Sequence, residues 1–135
     1  MSSWCELDRA IETLRPGGPI GVMQCSSVYP CPTERVGLNV LSEMRERFSD
    51  VEIGYSDHTL GYAAPIAAAA LGATVIEKHF TFSRLMYGSD AKHSMEPGEL
   101  EVLARSLGEV WTMLDHPVDK DDVSPFGEMK AIFEK

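Results

Sequence analysis

Three short apolar segments alternate with helical segments along this chain, and the alternation strongly restricts its fold. The apolar segments cover residues 20–25, 51–55 and 74–78, and turn-forming residues separate them from their neighbours. Strands that alternate with helices form parallel βαβ units, whose crossovers are right-handed. The sequence therefore predicts an α/β protein with a parallel sheet.

Apolar periodicity marks the helical segments. The first helix is expected to follow the capping-box pattern of Ser3 and Glu6, and the second places Leu41, Met44 and Phe48 on one face. A short Ala-rich segment joins the second and third strands. A final helix, predicted over residues 97–114, is expected to bury one apolar face formed by Leu100, Leu103, Leu107, Val110, Trp111 and Leu114.

Composition narrows the class of partner and the compartment. The 135 residues suffice for one domain, and their net charge of -9 disfavours nucleic acid and anionic membranes as partners. The longest apolar run, residues 63–73, is shorter than the roughly 20 residues that span a bilayer. The three cysteines are an odd number without a metal-site spacing, which favours reduced thiols. We therefore expect a cytoplasmic protein with no nucleic-acid or membrane partner.

Two of the four histidines directly follow predicted strands. His58 follows the second strand and His79 the third, with the Ala-rich helix between them. The carboxyl ends of parallel strands lie at one edge of a sheet, where α/β proteins place their chemistry. A lone histidine is more often a packed or surface residue, but this pairing favours a metal site. Imidazole with oxygen ligands suits manganese or zinc, and an open metal position polarises a carbonyl.

Polar residues surround both predicted histidine positions. Ser56 and Asp57 precede His58, and Thr59 is a candidate cap for the next helix; an Asx turn is the simpler interpretation of this segment. Glu77 and Lys78 end an otherwise apolar strand, where charged groups are costly unless they are paired or functional. We therefore predict that Glu77 and Lys78 take part in the site.

Two loops are expected at the same edge of the sheet. The loop after the first strand carries Ser27 and Tyr29, which are either site residues or ordinary turn residues. The loop over residues 81–96 carries Asp90 and is long enough to form a lid or wall, although charged loops are often only solvated.

Five segments, in this order, resemble successive motifs of the sialic acid synthase family. They are QCSSVYP at 24–30, GYSDHT at 54–59, ATVIEKHF at 73–80, GSD at 88–90 and SMEP at 94–97. The resemblance implies a TIM-barrel domain that condenses phosphoenolpyruvate with an N-acetylated sugar aldehyde, releasing phosphate and forming a nonulosonic acid. A smaller antifreeze-like domain usually follows in this family, and the tail resembles the spore-coat polysaccharide type.

The resemblance also implies roles for individual residues. It makes His58 and His79 the protein ligands of a divalent metal, typically Mn²⁺, that holds the acceptor aldehyde, with Glu77 beside the metal and substrate. Family members that have Asn where this chain has Ser27 contact phosphoenolpyruvate there. The remaining implied substrate contacts are Ser56 with phosphoenolpyruvate, and Tyr29 and Asp90 with the acceptor sugar.

The resemblance covers the last three βα units of the barrel. It assigns residues 1–115 to the carboxyl-terminal part of the barrel and 116–135 to a linker towards an absent antifreeze-like domain. A three-stranded parallel sheet has two free edges, so we expect self-association or pairing with the missing barrel half. Two alternatives remain: a catalytically inactive remnant that acts only in assembly, and a related phosphoenolpyruvate-dependent synthase of another sugar acid.

Overall fold

A three-stranded parallel sheet forms the centre of the fold. The computed structural model describes residues 2–133, and its strands are β1 (Gly21–Cys25), β2 (Glu52–Asp57) and β3 (Val75–Lys78). They lie side by side in chain order, and both neighbouring pairs are parallel. The predicted α/β class with parallel βα units is confirmed.

Helices occupy the segments before, between and after the strands. Ser3 and Glu6 form the predicted capping box at the first helix, and Pro97 occupies the first turn of the helix that follows β3. Thr59 is not a helix cap, because the next helix begins only at Ala63. Between residues 2 and 133, no helix is both long and apolar enough to cross a bilayer. The helices are α1 (Trp4–Leu14), α2 (Asn39–Arg47), α3 (Ala63–Ala70), α4 (Pro97–Asp115) and α5 (Gly127–Phe133).

Helices cover one face of the sheet. Ile53 and Tyr55 of β2 are buried in a cluster with residues of α2 and α3, including Leu41 and Ala68. Side chains alternate between the two faces of a strand, so Ile53 and Tyr55 lie on the same face of the sheet, which the helices cover. The main apolar core therefore lies between β2 and the helices.

Helix α4 packs against α3 through a narrower stripe than its sequence predicts. Leu103 and Leu107 are buried, whereas Leu100 and Leu114 are 40% and 51% exposed. The assignment of Leu100 and Leu114 to the inner face was wrong. The reason is length, since α4 has 19 residues and its partner α3 has only 8, so the ends of α4 extend past the contact.

The other face of the sheet is open. Met23 of β1 and Val75 of β3 are 38% and 47% exposed there, on either side of Gly54 in the central strand. A Cβ atom on Gly54 would lie 2.8 Å from Met23 Cγ and 2.8 Å from the Val75 carbonyl oxygen, so only glycine fits this position. The next row on this face, one step closer to the carboxyl edge, is Cys25, Ser56 and Glu77.

Candidate active site

The two histidines that follow β2 and β3 lie side by side. Their ring centroids are 5.1 Å apart, and the ring of Tyr29 lies 4.2 Å from His58 and 5.6 Å from His79. Strand register accounts for this arrangement, because Asp57 pairs with Lys78 immediately before the histidines. The predicted convergence of His58 and His79 at the carboxyl edge is confirmed, and Tyr29 joins them.

Hydrogen bonds fix the orientation of His58. Its Nδ1 atom lies 3.1 Å from the carbonyl oxygen of Ser26, and its own carbonyl accepts a 2.8 Å hydrogen bond from the amide of Cys31. A carbonyl oxygen can only accept, so we assign the ring proton to Nδ1. This tautomer leaves a lone pair on Nε2, as is usual for a histidine whose other nitrogen is held by a backbone carbonyl.

Cys25 is a site neighbour that sequence reasoning missed. Its Sγ atom lies 3.6 Å from Ser27 Oγ and 3.8 Å from His58 Nδ1. The signal lies in the strand register, because strand alternation puts Cys25 on the same face as Ser56 and Glu77 only once the pairing of β1 with β2 is known. The predicted substrate residue Ser27 therefore contacts Cys25, which in turn lies beside His58.

Ser56 and Glu77 form a hydrogen-bonded pair on the open face. The Ser56 hydroxyl donates to Glu77 Oε1 over 2.7 Å. Ser56 is buried, while Glu77 is exposed at the outer strand. The carboxylate of Glu77 is thus held in a defined position and still accessible from the face that carries the histidines.

Asp57 and Lys78 form a buried ion pair on the covered face. Lys78 Nζ lies 2.5 Å from Asp57 Oδ2, and their side chains are 5% and 0% exposed, respectively. Lys78 also donates a 2.6 Å hydrogen bond to the carbonyl oxygen of Thr59. Strand alternation therefore separates Glu77 from Lys78, and only Glu77 reaches the open face.

Two further residues donate hydrogen bonds to Asp57. Its carboxylate accepts hydrogen bonds from the Tyr55 hydroxyl, at 2.9 Å, and from both the amide and the hydroxyl of Thr59, at 3.0 and 3.1 Å. Burial, and then the nearby Asp57 carboxylate, raise the pKa of Tyr55, so its phenol remains protonated and donates. The amide contact is the Asx turn that the sequence suggested.

The loop over residues 81–96 forms one wall beside His79. The amide of Met95 donates a 2.9 Å hydrogen bond to the His79 carbonyl, which holds the end of the loop next to the strand. The Arg84 guanidinium donates to the carboxylate of Glu99, and this contact lowers the Glu99 pKa. Asp90 is exposed and lines the same open depression as His79, consistent with its expected place in the site.

The donor set fits a metal with open coordination positions. His58 and His79 offer two neighbouring imidazoles, and the hydrogen bond at His58 Nδ1 frees its Nε2 for a metal. Within residues 2–133, no group of three or more His, Cys, Asp or Glu side chains has metal-site geometry. Water and substrate oxygens would therefore have to supply the other ligands of a borderline divalent ion.

Comparison with known proteins identifies relatives over most of the chain. The model of the NeuB family matches residues 1–119. The human N-acetylneuraminate-9-phosphate synthase is 42% identical over 118 residues, which cover 87% of this chain and 33% of the human protein. The chain thus spans about one third of the length of this curated relative.

Two solved structures share the fold. The N-acetylneuraminic acid synthetase of Leptospira borgpetersenii, solved with citrate, is 30% identical and aligns with a TM-score of 0.84 over 97% of this chain and 46% of that one. The spore coat polysaccharide biosynthesis protein spsE of Bacillus subtilis is 31% identical, with a TM-score of 0.78 over 88% of this chain and 35% of that one. The three-stranded sheet and its helices match part of these chains.

Proposed function

Because the chain belongs to the NeuB family, we propose that it carries the metal-binding part of a nonulosonic acid synthase. The reaction would condense phosphoenolpyruvate with an N-acetylated sugar aldehyde to give a sialic-type acid. The observation that carries this proposal is the side-by-side placement of His58 and His79 at the carboxyl edge of the sheet. The sialic acid synthases among its relatives support the enzyme class. The cytoplasm is the expected compartment.

The site residues have distinct proposed roles. His58 and His79 would hold Mn²⁺, which when bound polarises the carbonyl of the acceptor aldehyde. Tyr29 and Asp90 would contact the acceptor sugar from the loops on either side of the histidines. Ser56 and Ser27 would lie against phosphoenolpyruvate, and the hydrogen bond from Ser56 would hold Glu77 towards the substrates.

The proposed bond changes balance with water as the one further reactant. C3 of phosphoenolpyruvate forms a bond to the aldehyde carbon, whose oxygen becomes a hydroxyl after taking a proton. Water then adds at C2, and the C2–O bond to phosphate breaks, leaving the keto acid and inorganic phosphate. Holding the two reactants together would provide much of the acceleration, because fixed geometry removes the entropic cost of their encounter.

The chain on its own is expected to release no phosphate from phosphoenolpyruvate when Mn²⁺ and N-acetylmannosamine are present. The open face of the sheet carries the histidine pair, but the chain spans only about a third of the length of the human relative. A coupled phosphate assay over several hours tests this expectation. Steady turnover by the chain alone would contradict it.

A chimera tests the proposed function itself. Residues 1–119 would replace the matching segment of the Leptospira enzyme, and the chimera should release phosphate because the histidine pair is retained. The same chimera with His58→Ala should be inactive, whereas His116→Ala, at the exposed end of α4, should leave the activity unchanged. A folded chimera without turnover would favour the inactive-remnant alternative.

The open face and the free strand edges predict self-association. Met23 and Val75 are exposed on this face, and a cleft lined by Trp4, Leu7 and Met44 opens beside β1. Unpaired edges of parallel strands are normally covered. Sedimentation of the chain should therefore show dimers or larger species, and Met23→Lys/Val75→Lys should shift them towards monomer. A well-folded wild-type monomer at all concentrations would argue against this prediction.

A further inference from the structure

We propose that the Asp57–Lys78 ion pair is a positioning element that holds His58 and His79 side by side. This inference rests on the proposed metal role of the two histidines. The pair lies on the covered face of the sheet, so it does not touch a substrate on the open face. It acts through the backbone of β2 and β3, whose last paired residues are Asp57 and Lys78.

The register of the two strands explains why such a positioning element is needed. The ladder between β2 and β3 ends at the pair Asp57 and Lys78, and each histidine is the next residue along its strand. The ladder therefore stops before it reaches the histidines. A slip of one residue would turn His79 to the opposite face, because side chains alternate along a strand. The ion pair connects the two strands at the step where this slip would begin.

Lys78 also holds the chain on the far side of His58. Its ammonium contacts the Asp57 carboxylate before His58 and the Thr59 carbonyl after it, at 2.5 and 2.6 Å. Asp57 in turn accepts the Thr59 amide, which turns the chain directly after His58. One side chain of β3 therefore fixes the backbone on both sides of the histidine that follows β2.

The free-energy cost of burying the Asp57–Lys78 ion pair favours a role in fixing the geometry of β2 and β3. Two ionised groups with side-chain exposures of 5% and 0% lose most of their hydration, and such a pair is often no more stabilising than apolar residues of similar size. Within residues 2–133, every fully buried side-chain nitrogen and oxygen has a hydrogen-bond partner. The fully satisfied network around Asp57 includes Tyr55 and Thr59, and networks of this kind specify one arrangement.

A neutral double variant tests positioning separately from stability. Asp57→Asn/Lys78→Met leaves no buried charge, and the Asn carbonyl can still accept from Tyr55 and Thr59. Leu103→Ala is the matched control, since it weakens the core between α3 and α4 without touching the network. Asp57→Glu is a second variant that keeps both charges and displaces the carboxylate by one methylene.

Two measurements are made on each folded variant: Mn²⁺ affinity by titration calorimetry, and the ring ¹⁵N shifts of the metal-free histidines by NMR. The double variant should bind Mn²⁺ about tenfold more weakly, at the low end of the loss caused by removing an outer partner of a metal ligand, because the pair acts on the histidines only through the backbone. The ring ¹⁵N shifts of the double variant should show that His58 is no longer protonated at Nδ1 alone. In Asp57→Glu, the Mn²⁺ affinity and the His58 ring shifts should change in the same direction as in the double variant. Leu103→Ala should match the wild type in both measurements.

The results separate this inference from the proposed function. If the wild type binds no Mn²⁺, the proposed function fails, while the ring shifts still test the positioning role. If the double variant and Asp57→Glu keep wild-type ring shifts, the positioning role is overturned. Wild-type Mn²⁺ affinity in both variants would overturn it equally.

Discussion

Replacing Lys78 with Met is expected to lower the free energy of unfolding by about 3–5 kcal/mol. The substitution leaves the Asp57 carboxylate buried without its counter-charge, and that side chain is 0% exposed. The hydrogen bonds from Tyr55 and Thr59 remain, but they do not neutralise the charge. Urea denaturation followed by circular dichroism measures the change directly.

Two controls accompany this prediction. Lys92→Met removes an exposed lysine and should change the free energy of unfolding by well under 1 kcal/mol, as most surface substitutions do. Asp57→Asn/Lys78→Met removes both charges and should be clearly more stable than Lys78→Met alone. A Lys78→Met protein as stable as the Lys92→Met control would show that the ion pair is not buried as described.

Replacing either His58 or His79 with Ala is expected to weaken Mn²⁺ binding by more than about 100-fold. Loss of an outer partner alone typically costs 10- to 100-fold in metal affinity, so loss of a direct ligand should cost more. The two rings lie 5.1 Å apart, and each substitution leaves a single imidazole with no second protein ligand beside it in the proposed site. Titration calorimetry with Mn²⁺ measures both constants.

His116→Ala is the matched control for these two variants. His116 is exposed at the end of α4, and its Nδ1 atom contacts the Thr112 carbonyl at 2.8 Å, in a different element from the histidine pair. Its replacement should leave Mn²⁺ affinity unchanged. If His58→Ala binds Mn²⁺ as well as the wild type does, the inactive-remnant alternative gains support over a metal-dependent synthase.

The fold was predictable because its signals are local. Three apolar segments and the helical periodicity between them predicted the strands to within two residues, and the capping box at Ser3 marked the start of α1. The extent of the buried stripe on α4 was not predictable, because it depends on the length of its partner α3. Leu100 and Leu114 fit the helical period but lie beyond that contact.

Within the candidate site, the sequence predicted the positions that follow from strand ends. It did not predict the contacts that depend on strand register. His58 and His79 could be predicted to lie together at the carboxyl edge of the sheet, because each follows a strand of the same parallel sheet. The ion pair between Asp57 and Lys78 required the strand register, which residue types alone do not reveal. The contact between Cys25 and His58 could not be predicted for the same reason, since it depends on how β1 pairs with β2.

Anomalous X-ray diffraction from crystals of this chain grown with Mn²⁺ tests whether His58 and His79 form a metal site. We expect an anomalous peak within bonding distance of Nε2 of His58 and of a ring nitrogen of His79, on the open face of the sheet. Data collected on both sides of the manganese absorption edge would identify the element. A well-ordered structure with Mn²⁺ bound elsewhere, or with no peak between the two imidazoles, would show that His58 and His79 do not form the proposed metal site.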